Sequence, residues 1–237
     1  DYFQTVKGGG HGDYRLIALA PASVQEMADF VGLAFDLAFK YRNPAIILAD
    51  GVIGQMMEKV VLPEQRPRLT NEEVMARCPW ATFGKLKHRG PNIVTSLELD
   101  PAEMEKRNIH LQQKYAEIEE KEVRYEEIHC DDAEYLIVAF GSCARIAQKA
   151  MEEARAEGIK VGLLRPITLW PFPSKAIAER SRQVKGILTV ELNAGQMVED
   201  VRLAVECKVP VEYFGRLGGI VPDPDEVVTA LKEKIIK

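Results

Sequence analysis

Cysteine is scarce in this sequence, and the few cysteines present are scattered. The chain has four, at Cys78, Cys130, Cys143 and Cys207, and no two of them form a C-x-x-C pair. An iron–sulfur cluster or a structural zinc ion needs several ligands that converge on one point, so neither is expected here. We expect free thiols in a reducing compartment. If the chain takes part in redox chemistry, another polypeptide must carry the metal.

Long apolar runs and an excess of positive charge are also missing. No run approaches the roughly 20 apolar residues that span a bilayer, and the formal net charge is -5. Because no basic cluster stands out, nucleic acid is not an expected partner. The composition, with 46% hydrophobic and 28% charged residues, is typical of a soluble globular protein. We expect a cytoplasmic location.

Several common catalytic and nucleotide-binding motifs are absent as well. The sequence contains no G-x-S-x-G, no H-E-x-x-H, no G-x-G-x-x-G and no G-x-x-x-x-G-K-[ST], which would carry nucleophilic, zinc or phosphate chemistry. The pair Gly141-Ser142 follows an apolar run and precedes an amphipathic stretch. We interpret it as a tight strand-to-helix turn with Ser142 as the N-cap, and not as a phosphate site.

The front region, residues 1–99, begins with a Gly-rich loop at 7–13 and continues with a strand–helix–strand pattern. An apolar run at 16–20, helical spacing from Ser23 and a second apolar run at 45–48 favour two parallel strands with a right-handed crossover. Two strands do not make a stable sheet, and the only further candidate is a weak run over 92–97. We therefore expect the missing strands to lie upstream, which makes this domain incomplete.

The remaining sequence divides into a linker and a second domain. Residues 100–130 are highly charged, and Asp100 followed by Pro101 is a good helix start, so we predict a linker helix. Over residues 131–237, strands and helices alternate, and Asp223-Pro224 begins the last helix. Such alternation predicts a complete α/β domain whose parallel sheet is covered on both faces.

Candidate binding residues lie at the ends of the two front strands. Gly10, His11 and Gly12 precede the first strand, and Gln55 follows the second; glycine permits close backbone approach to a ligand or another chain. Asp50-Gly51 resembles the start of a magnesium–diphosphate motif, but magnesium needs further oxygen ligands, and no matching Asn lies at a suitable distance. We predict no metal site in this chain.

Two groups of motifs resemble one known family. In the front region these are DYFQ at 1–4, KGGGHGDYR at 7–15 and LAPASVQE at 19–26. In the second domain they are FGS at 140–142, GIKVGLLRPITLWPFP at 158–173, VELN at 190–193 and GQM at 195–197. Together they resemble the alpha subunit of 2-oxoacid:ferredoxin oxidoreductases, and most of all the branched-chain (2-oxoisovalerate) members.

The resemblance implies the rear part of a thiamine-diphosphate pyrimidine-binding domain, followed by a domain like the transketolase C-terminal domain. It implies oxidative decarboxylation of a 2-oxoacid to acyl-CoA and carbon dioxide, with ferredoxin as the electron acceptor; the cofactor supplies the chemistry. A beta subunit would supply the diphosphate and magnesium site, and gamma and ferredoxin-like subunits would complete the complex and carry the iron–sulfur clusters.

The resemblance assigns no catalytic residue to this chain. The family's activating glutamate, and the Thr and Arg that face the substrate, belong to the front half of the pyrimidine domain, which has no match here. We therefore expect the chain to be inactive by itself. Gly10, His11, Gly12 and Gln55 are candidates for lining the cofactor pocket.

Other functions fit the same residues. Pyruvate and 2-oxoglutarate oxidoreductases differ from branched-chain ones by pocket shape and a few polar contacts. A 2-oxoacid dehydrogenase component shares both domain types but delivers acyl groups to lipoamide, although residues 7–15 fit the ferredoxin-linked family better. A non-catalytic assembly module is the third alternative, because the rear domain of transketolase-like proteins mainly builds subunit interfaces.

Overall fold

The computed structural model describes residues 1–8, 10, 12–82, 84 and 87–236. The first part of the chain contains α1 (Tyr2–Val6), β1 (Ile17–Leu19), α2 (Val24–Tyr41), β2 (Ala45–Ile47), α3 (Gly51–Gln55), α4 (Asn71–Arg77) and α5 (Pro101–Lys121). The second part contains β3 (Tyr125–Ile128), β4 (Tyr135–Ala139), α6 (Ser142–Ala156), β5 (Val161–Pro166), β6 (Thr168–Trp170), α7 (Ser174–Ser181), β7 (Ile187–Glu191), α8 (Met197–Val205), β8 (Val211–Gly215), α9 (Pro224–Leu231) and a π-helical turn (Lys232–Ile236).

The rear sheet has five strands in the order β3-β5-β4-β7-β8, and all pairs are parallel except β3 with β5. Side chains alternate between its faces, as a strand requires. Leu136 and Val138 of β4 join one buried cluster with residues of α7 and α8, whereas Ile137 and Ala139 join another with α6 and α9. The predicted α/β fold, with helices on both faces of a mostly parallel sheet, is confirmed.

The front sheet has three strands in the order β2-β1-β6, and its third strand comes from the second half of the chain. β1 and β2 pair in parallel as predicted. β6 runs antiparallel to β1, with Ala18 opposite Trp170, and Ala20 N–H donates to the Ile167 carbonyl at 2.8 Å. The expectation that no later segment contributes a strand was wrong, because residues just beyond β5 leave the rear sheet and cross to the front one.

Two helices begin at the capping residues that the sequence predicts. The Asp100 carboxylate accepts hydrogen bonds from the backbone N–H groups of Ala102 and Glu103, and Asp223 forms a capping box with Glu226. Such bonds satisfy N–H groups that the first turn of a helix leaves without partners. Among the described residues, no helix combines the length and apolar character needed to cross a bilayer.

A buried carboxylate joins α2 to the end of α5. Glu122 Oε1 accepts hydrogen bonds from Lys40 Nζ and Tyr41 Oη, both at 2.6 Å, and Oε2 accepts one from Arg124 Nη2 at 2.9 Å. Burial opposes ionisation of Glu122, but these hydrogen bonds outweigh it and lower the pKa of Glu122 to about 2. The charged carboxylate therefore holds the linker helix against the front sheet.

We predict that Glu122→Gln destabilises the protein in a pH-dependent way. The pKa of Glu122 in the folded protein lies below the value of about 4.3 of an unfolded chain, so its contribution is complete above that value and is lost as the pH falls towards 2. The substitution should lower the free energy of unfolding by about 1–3 kcal/mol at pH 7. Urea denaturation from pH 7 to pH 3 should show this difference shrinking below about pH 4.5. A difference that stays constant over this range would contradict the assignment.

Candidate functional site

The carboxyl ends of strands from both sheets meet at one small cavity. Its volume is about 140 Å³. It is lined by Asp1, Tyr2, Leu48, Ala49, Asp50, Phe140, Cys143, Glu191, Leu192 and Asn193. These residues follow β2, β4 and β7 or belong to the N-terminal segment and α6. Because ligands of parallel sheets collect beyond the carboxyl ends of the strands, this cavity is the candidate functional site.

Asp50 caps two helices, α3, which follows a strand of the front sheet, and α6, which follows a strand of the rear sheet. Its Oδ1 accepts hydrogen bonds from the N–H groups of Val52 and Ile53, both at 3.0 Å, at the start of α3. Its Oδ2 accepts one from Ser142 N–H at 2.8 Å, at the start of α6. A carboxylate is favoured at a helix N-terminus by the free N–H groups and by the helix dipole. Asp50, which the sequence relates to a diphosphate motif, thus holds the two sheets together.

The turn before α6 is built differently from the prediction. The N-cap is Gly141, not Ser142, and Ser142 is the first residue of the helix. Gly141 has φ +61°, and a Cβ placed on it would lie 2.8 Å from Asp50 Oδ2. Glycine is therefore required twice, once by the backbone angle and once by the close approach of the Asp50 carboxylate.

Glu191 closes the N-terminus of α8 in the same manner. It ends β7 and is 1% exposed. Its carboxylate accepts hydrogen bonds from the N–H groups of Gln196, Met197 and Val198 at 3.1, 2.7 and 3.0 Å. The N-termini of α3, α6 and α8 beside the cavity thus all donate to carboxylates of the chain itself, which occupy the positions that an anionic ligand would take there.

The N-terminal segment covers one side of the cavity. Tyr2 Oη donates to Asp200 Oδ2 at 2.7 Å, and the Tyr2 ring lies 5.8 Å from that of Phe140. Phe3 N–H donates to Gln196 Oε1 at 3.0 Å, and Lys7 forms an ion pair with Asp200. Burial of the phenol, and then the Asp200 carboxylate, raise the pKa of Tyr2 far above its ordinary value. Tyr2 is therefore a neutral hydrogen-bond donor at physiological pH.

Cys143 is the nucleophile type nearest to the cavity, and its environment suppresses its reactivity. Burial raises the pKa of the Cys143 thiol to about 12, with further contributions from the carboxylates of Asp50 and Glu191. A thiol, and not a thiolate, is present at neutral pH, and only the thiolate is a good nucleophile or metal ligand. The residues that line the cavity therefore connect separate segments of the chain, and Cys143 is not an activated nucleophile.

Three of the predicted site residues, Gly10, Gly12 and Gln55, lie outside this cavity. Gly10 and Gly12 are exposed in the loop between α1 and β1, and Gly12 has φ +106°. Gln55 ends α3 and is exposed. His11 lies outside the described residues. The loop enters the amino end of β1, whereas Gln55 follows the carboxyl end of β2, and the two strands are parallel. Within the described ranges, no three His, Cys, Asp or Glu side chains are grouped closely enough to hold a metal ion.

The roles of Asp50 and Glu191 were not predicted from the sequence. An Asp before a short helix is a visible N-cap signal, so its bonds to α3 could have been found. Its bond to Ser142 spans 92 residues, and no local pattern indicates it. Glu191 lies six residues before the first residue of the helix that it caps, beyond the spacing of the usual capping motifs.

Two family profiles cover most of the chain. Residues 1–128 match the thiamine-diphosphate-binding region of pyruvate flavodoxin/ferredoxin oxidoreductases. Residues 133–227 match core domain II of pyruvate:ferredoxin oxidoreductase.

Curated relatives extend the match to nearly the full sequence. The chain is 49% identical over 98% of its length to ketoisovalerate oxidoreductase subunit VorB of Methanothermobacter thermautotrophicus, of which it covers 64%. It is 32% identical over 94% of its length to 2-oxoglutarate synthase subunit KorA of Methanothermobacter marburgensis, of which it covers 65%. The chain thus spans about two thirds of the length of these relatives.

Solved structures share the fold. A structure of 2-oxoglutarate:ferredoxin oxidoreductase from Magnetococcus marinus, with 2-oxoglutarate, coenzyme A and succinyl-CoA bound, matches with a TM-score of 0.75 at 22% identity, over 98% of this chain and 44% of that one. A split-gene transketolase matches with a TM-score of 0.50 at 16% identity, over 92% of this chain and 56% of that one. At these identities the likeness concerns the fold alone.

We predict that Asp50→Asn destabilises the protein more than Asp100→Asn does. Asn can still cap one helix, but it cannot accept hydrogen bonds through both of its side-chain atoms, so the Ser142 N–H loses its partner. We expect a loss of about 1–3 kcal/mol in the free energy of unfolding. Asp100 caps only α5, so its Asn variant should lose only a few tenths of a kcal/mol, since Asn is as good an N-cap as Asp. Equal losses in urea denaturation would argue against a double cap.

A second prediction concerns the combined cost of the Gly141 backbone conformation and its close contact with Asp50. Gly141 and Gly158 both have positive φ, but a Cβ at Gly158 has nothing within 4 Å. Gly141→Ala should therefore lower the free energy of unfolding by at least about 1 kcal/mol more than Gly158→Ala. Thermal or urea unfolding of the two variants gives the comparison. If both variants lose the same free energy of unfolding, the close contact between residue 141 and the Asp50 carboxylate does not affect stability.

Proposed function

Because the chain belongs to the pyruvate flavodoxin/ferredoxin oxidoreductase family, we propose that it is part of the thiamine-diphosphate-binding alpha subunit of a 2-oxoacid:ferredoxin oxidoreductase of the branched-chain type. The observation that carries the substrate class is the difference between relatives, 49% identity to the ketoisovalerate subunit against 32% to the 2-oxoglutarate subunit. The resemblance recognised from motifs in both halves of the sequence is confirmed at the level of the family.

The proposed reaction is the oxidative decarboxylation of a 2-oxoacid, with 2-oxoisovalerate as the preferred substrate. The bond between the keto carbon and the carboxylate breaks and carbon dioxide leaves. The acyl carbon forms a thioester with coenzyme A, whose thiol loses its proton, and the electrons released pass through iron–sulfur clusters to ferredoxin. Thiamine diphosphate, when bound, supplies the electron sink for decarboxylation.

The described residues do not fit the diphosphate end of that cofactor. The cavity of about 140 Å³ is smaller than the roughly 300 Å³ at which small-molecule pockets begin. Asp50 and Glu191 already occupy the three helix N-termini, of α3, α6 and α8, that a phosphate would use. We therefore assign the diphosphate and its magnesium ion to a beta subunit, and the clusters to gamma or ferredoxin-like subunits. The four free cysteines suit a reducing cytoplasmic location.

This chain's own contribution is to hold the front sheet at a defined position on the rear sheet. Asp50, Glu191 and the crossing strand β6 provide that joint. Gly10, Gly12 and Gln55 are exposed on the front part, where a partner subunit can reach them. That Gly10, His11, Gly12 and Gln55 line the cofactor pocket stays a prediction, and no catalytic residue is assigned to this chain.

The proposed function is tested by purifying the complex through a tag on the full-length subunit. Coenzyme-A-dependent viologen reduction should be strongest with branched-chain 2-oxoacids in a panel that includes pyruvate and 2-oxoglutarate. Omission of coenzyme A should abolish turnover, and lipoamide should not replace viologen as the acceptor. A preference for 2-oxoglutarate would keep the reaction and overturn the substrate class. No reduction with any oxoacid, in a complex shown to contain clusters and thiamine diphosphate, would leave an assembly module instead.

A further inference from the structure

Lys114 of the linker helix α5 has different partners from Lys121, which lies on the same helix two turns further along. Lys121 forms an ion pair with Glu117 at 2.8 Å. The Lys114 ammonium instead donates to the Arg42 carbonyl at the end of α2, at 3.3 Å. This distance is longer than the roughly 2.7–2.9 Å of a charge-assisted hydrogen bond to a carboxylate. Among the residues that the structure describes, no carboxylate forms an ion pair with Lys114.

The Arg42 side chain places a second positive charge beside Lys114. Arg42 ends α2, and its guanidinium carbon lies 4.5 Å from the centre of the Trp80 ring. A guanidinium over an aromatic face is held there by a cation–π interaction, so the charge has a defined position. The contacts of Arg42 within the described part of the chain include no carboxylate. The two cations therefore meet at the end of α2 without a neutralising anion.

The surroundings of Lys114, which is half-buried, favour the neutral amine. Burial, and then repulsion from the Arg42 guanidinium, lower the pKa of the Lys114 ammonium, because both disfavour a positive charge. The hydrogen bond to Glu117, in contrast, raises the pKa of Lys121. Lys114 is the one described lysine whose pKa is clearly lowered. A larger fraction of Lys114 is thus the free amine at neutral pH, and only the free amine has a lone pair that attacks an electrophile.

A thioester of coenzyme A is the electrophile that suits this position. Its acyl carbon reacts with free amines, and its phosphate groups carry negative charge. Arg42 is exposed, and a guanidinium binds phosphate groups through several N–H donors. The proposed reaction releases an acyl-CoA within the same complex, so the inference rests on the proposed function for the source of the thioester.

We propose that Lys114 is an acyl-acceptor site that takes the acyl group of a coenzyme A thioester, with Arg42 as the contact for the phosphate groups. The Lys114 nitrogen forms an amide bond with the acyl carbon and the carbon–sulfur bond breaks. The thiolate that leaves takes up the proton that the nitrogen loses. The product has no charge at this position and carries an apolar group where the ammonium met the end of α2. Acylation therefore changes the contact between the linker helix and α2.

Acylation by an added thioester tests the site without turnover. The complex, purified through the full-length subunit, is incubated with isobutyryl-CoA at neutral pH, and peptide mass spectrometry over time gives a rate constant for each lysine. Lys114 should be acylated at least about tenfold faster than Lys121, since one unit of pKa changes the fraction of free amine about tenfold. Lys121 is the matched control because it is exposed and lies on the same helix. Equal rates, or a faster reaction at Lys121, would overturn the proposal.

Arg42→Gln tests the role of the neighbouring charge. The substitution removes both the repulsion that favours the free amine and the contact for the phosphate groups. It should slow the acylation of Lys114 by at least about threefold and leave the rate at Lys121 unchanged, in a variant that keeps the circular dichroism spectrum of the original protein. No decrease at Lys114, or an equal decrease at both lysines, would contradict the assignment.

Turnover separates this inference from the proposed function. During viologen reduction with 2-oxoisovalerate and coenzyme A, the acyl group should appear on Lys114 without any added thioester. Turnover that leaves Lys114 unmodified would overturn the acyl-acceptor site and keep the proposed reaction. Acylation of Lys114 by added isobutyryl-CoA, in a complex that turns over no oxoacid, would keep the site and overturn the proposed reaction.

Discussion

The Asp50 carboxylate accepts hydrogen bonds from two helices, one that follows a strand of the front sheet and one that follows a strand of the rear sheet. The position of the front sheet relative to the rear sheet depends on these bonds. One oxygen caps α3 of the front part and the other caps α6 of the rear part. Each helix alone could be capped by a local side chain or by water. Sharing one carboxylate ties the orientation of one helix to that of the other. Gly141 is the matching constraint, since any side chain there would displace the carboxylate.

Other residues of the rear part also make contacts with the front part. Strand β6 leaves the rear part to complete the front sheet, and its Trp170 ring packs edge-to-face on Tyr115 of the linker helix at 5.7 Å. Arg165, at the end of β5, donates to Glu26 of α2 at 2.6 Å. Buried ion pairs contribute geometric definition more than net stability. Residues 158–173 therefore contain a rear strand, a front strand and the connection between them.

The side chains that make these structural hydrogen bonds also bear on the chemistry at the cavity. The carboxylates of Asp50 and Glu191 already accept hydrogen bonds from helix N–H groups, and the buried Cys143 is held as a thiol. These occupied groups are consistent with the proposed division of labour, in which partner subunits bring the diphosphate site and the clusters.

The amino-acid sequence by itself determined the parts of the structure that depend on neighbours along the chain. Apolar periodicity indicated most strands and helices of the rear domain, and Asp100 and Asp223 indicated helix starts, because capping acts within three residues. Motif resemblance indicated the family. Tertiary structure alone decided that β6 crosses to the front sheet, that Gly141 and not Ser142 begins α6, and that Asp50 and Glu191 are already occupied. The crossing strand and the shared cap depend on hydrogen bonds between segments that lie far apart in the chain, and loop closure over such distances leaves no local pattern in the sequence.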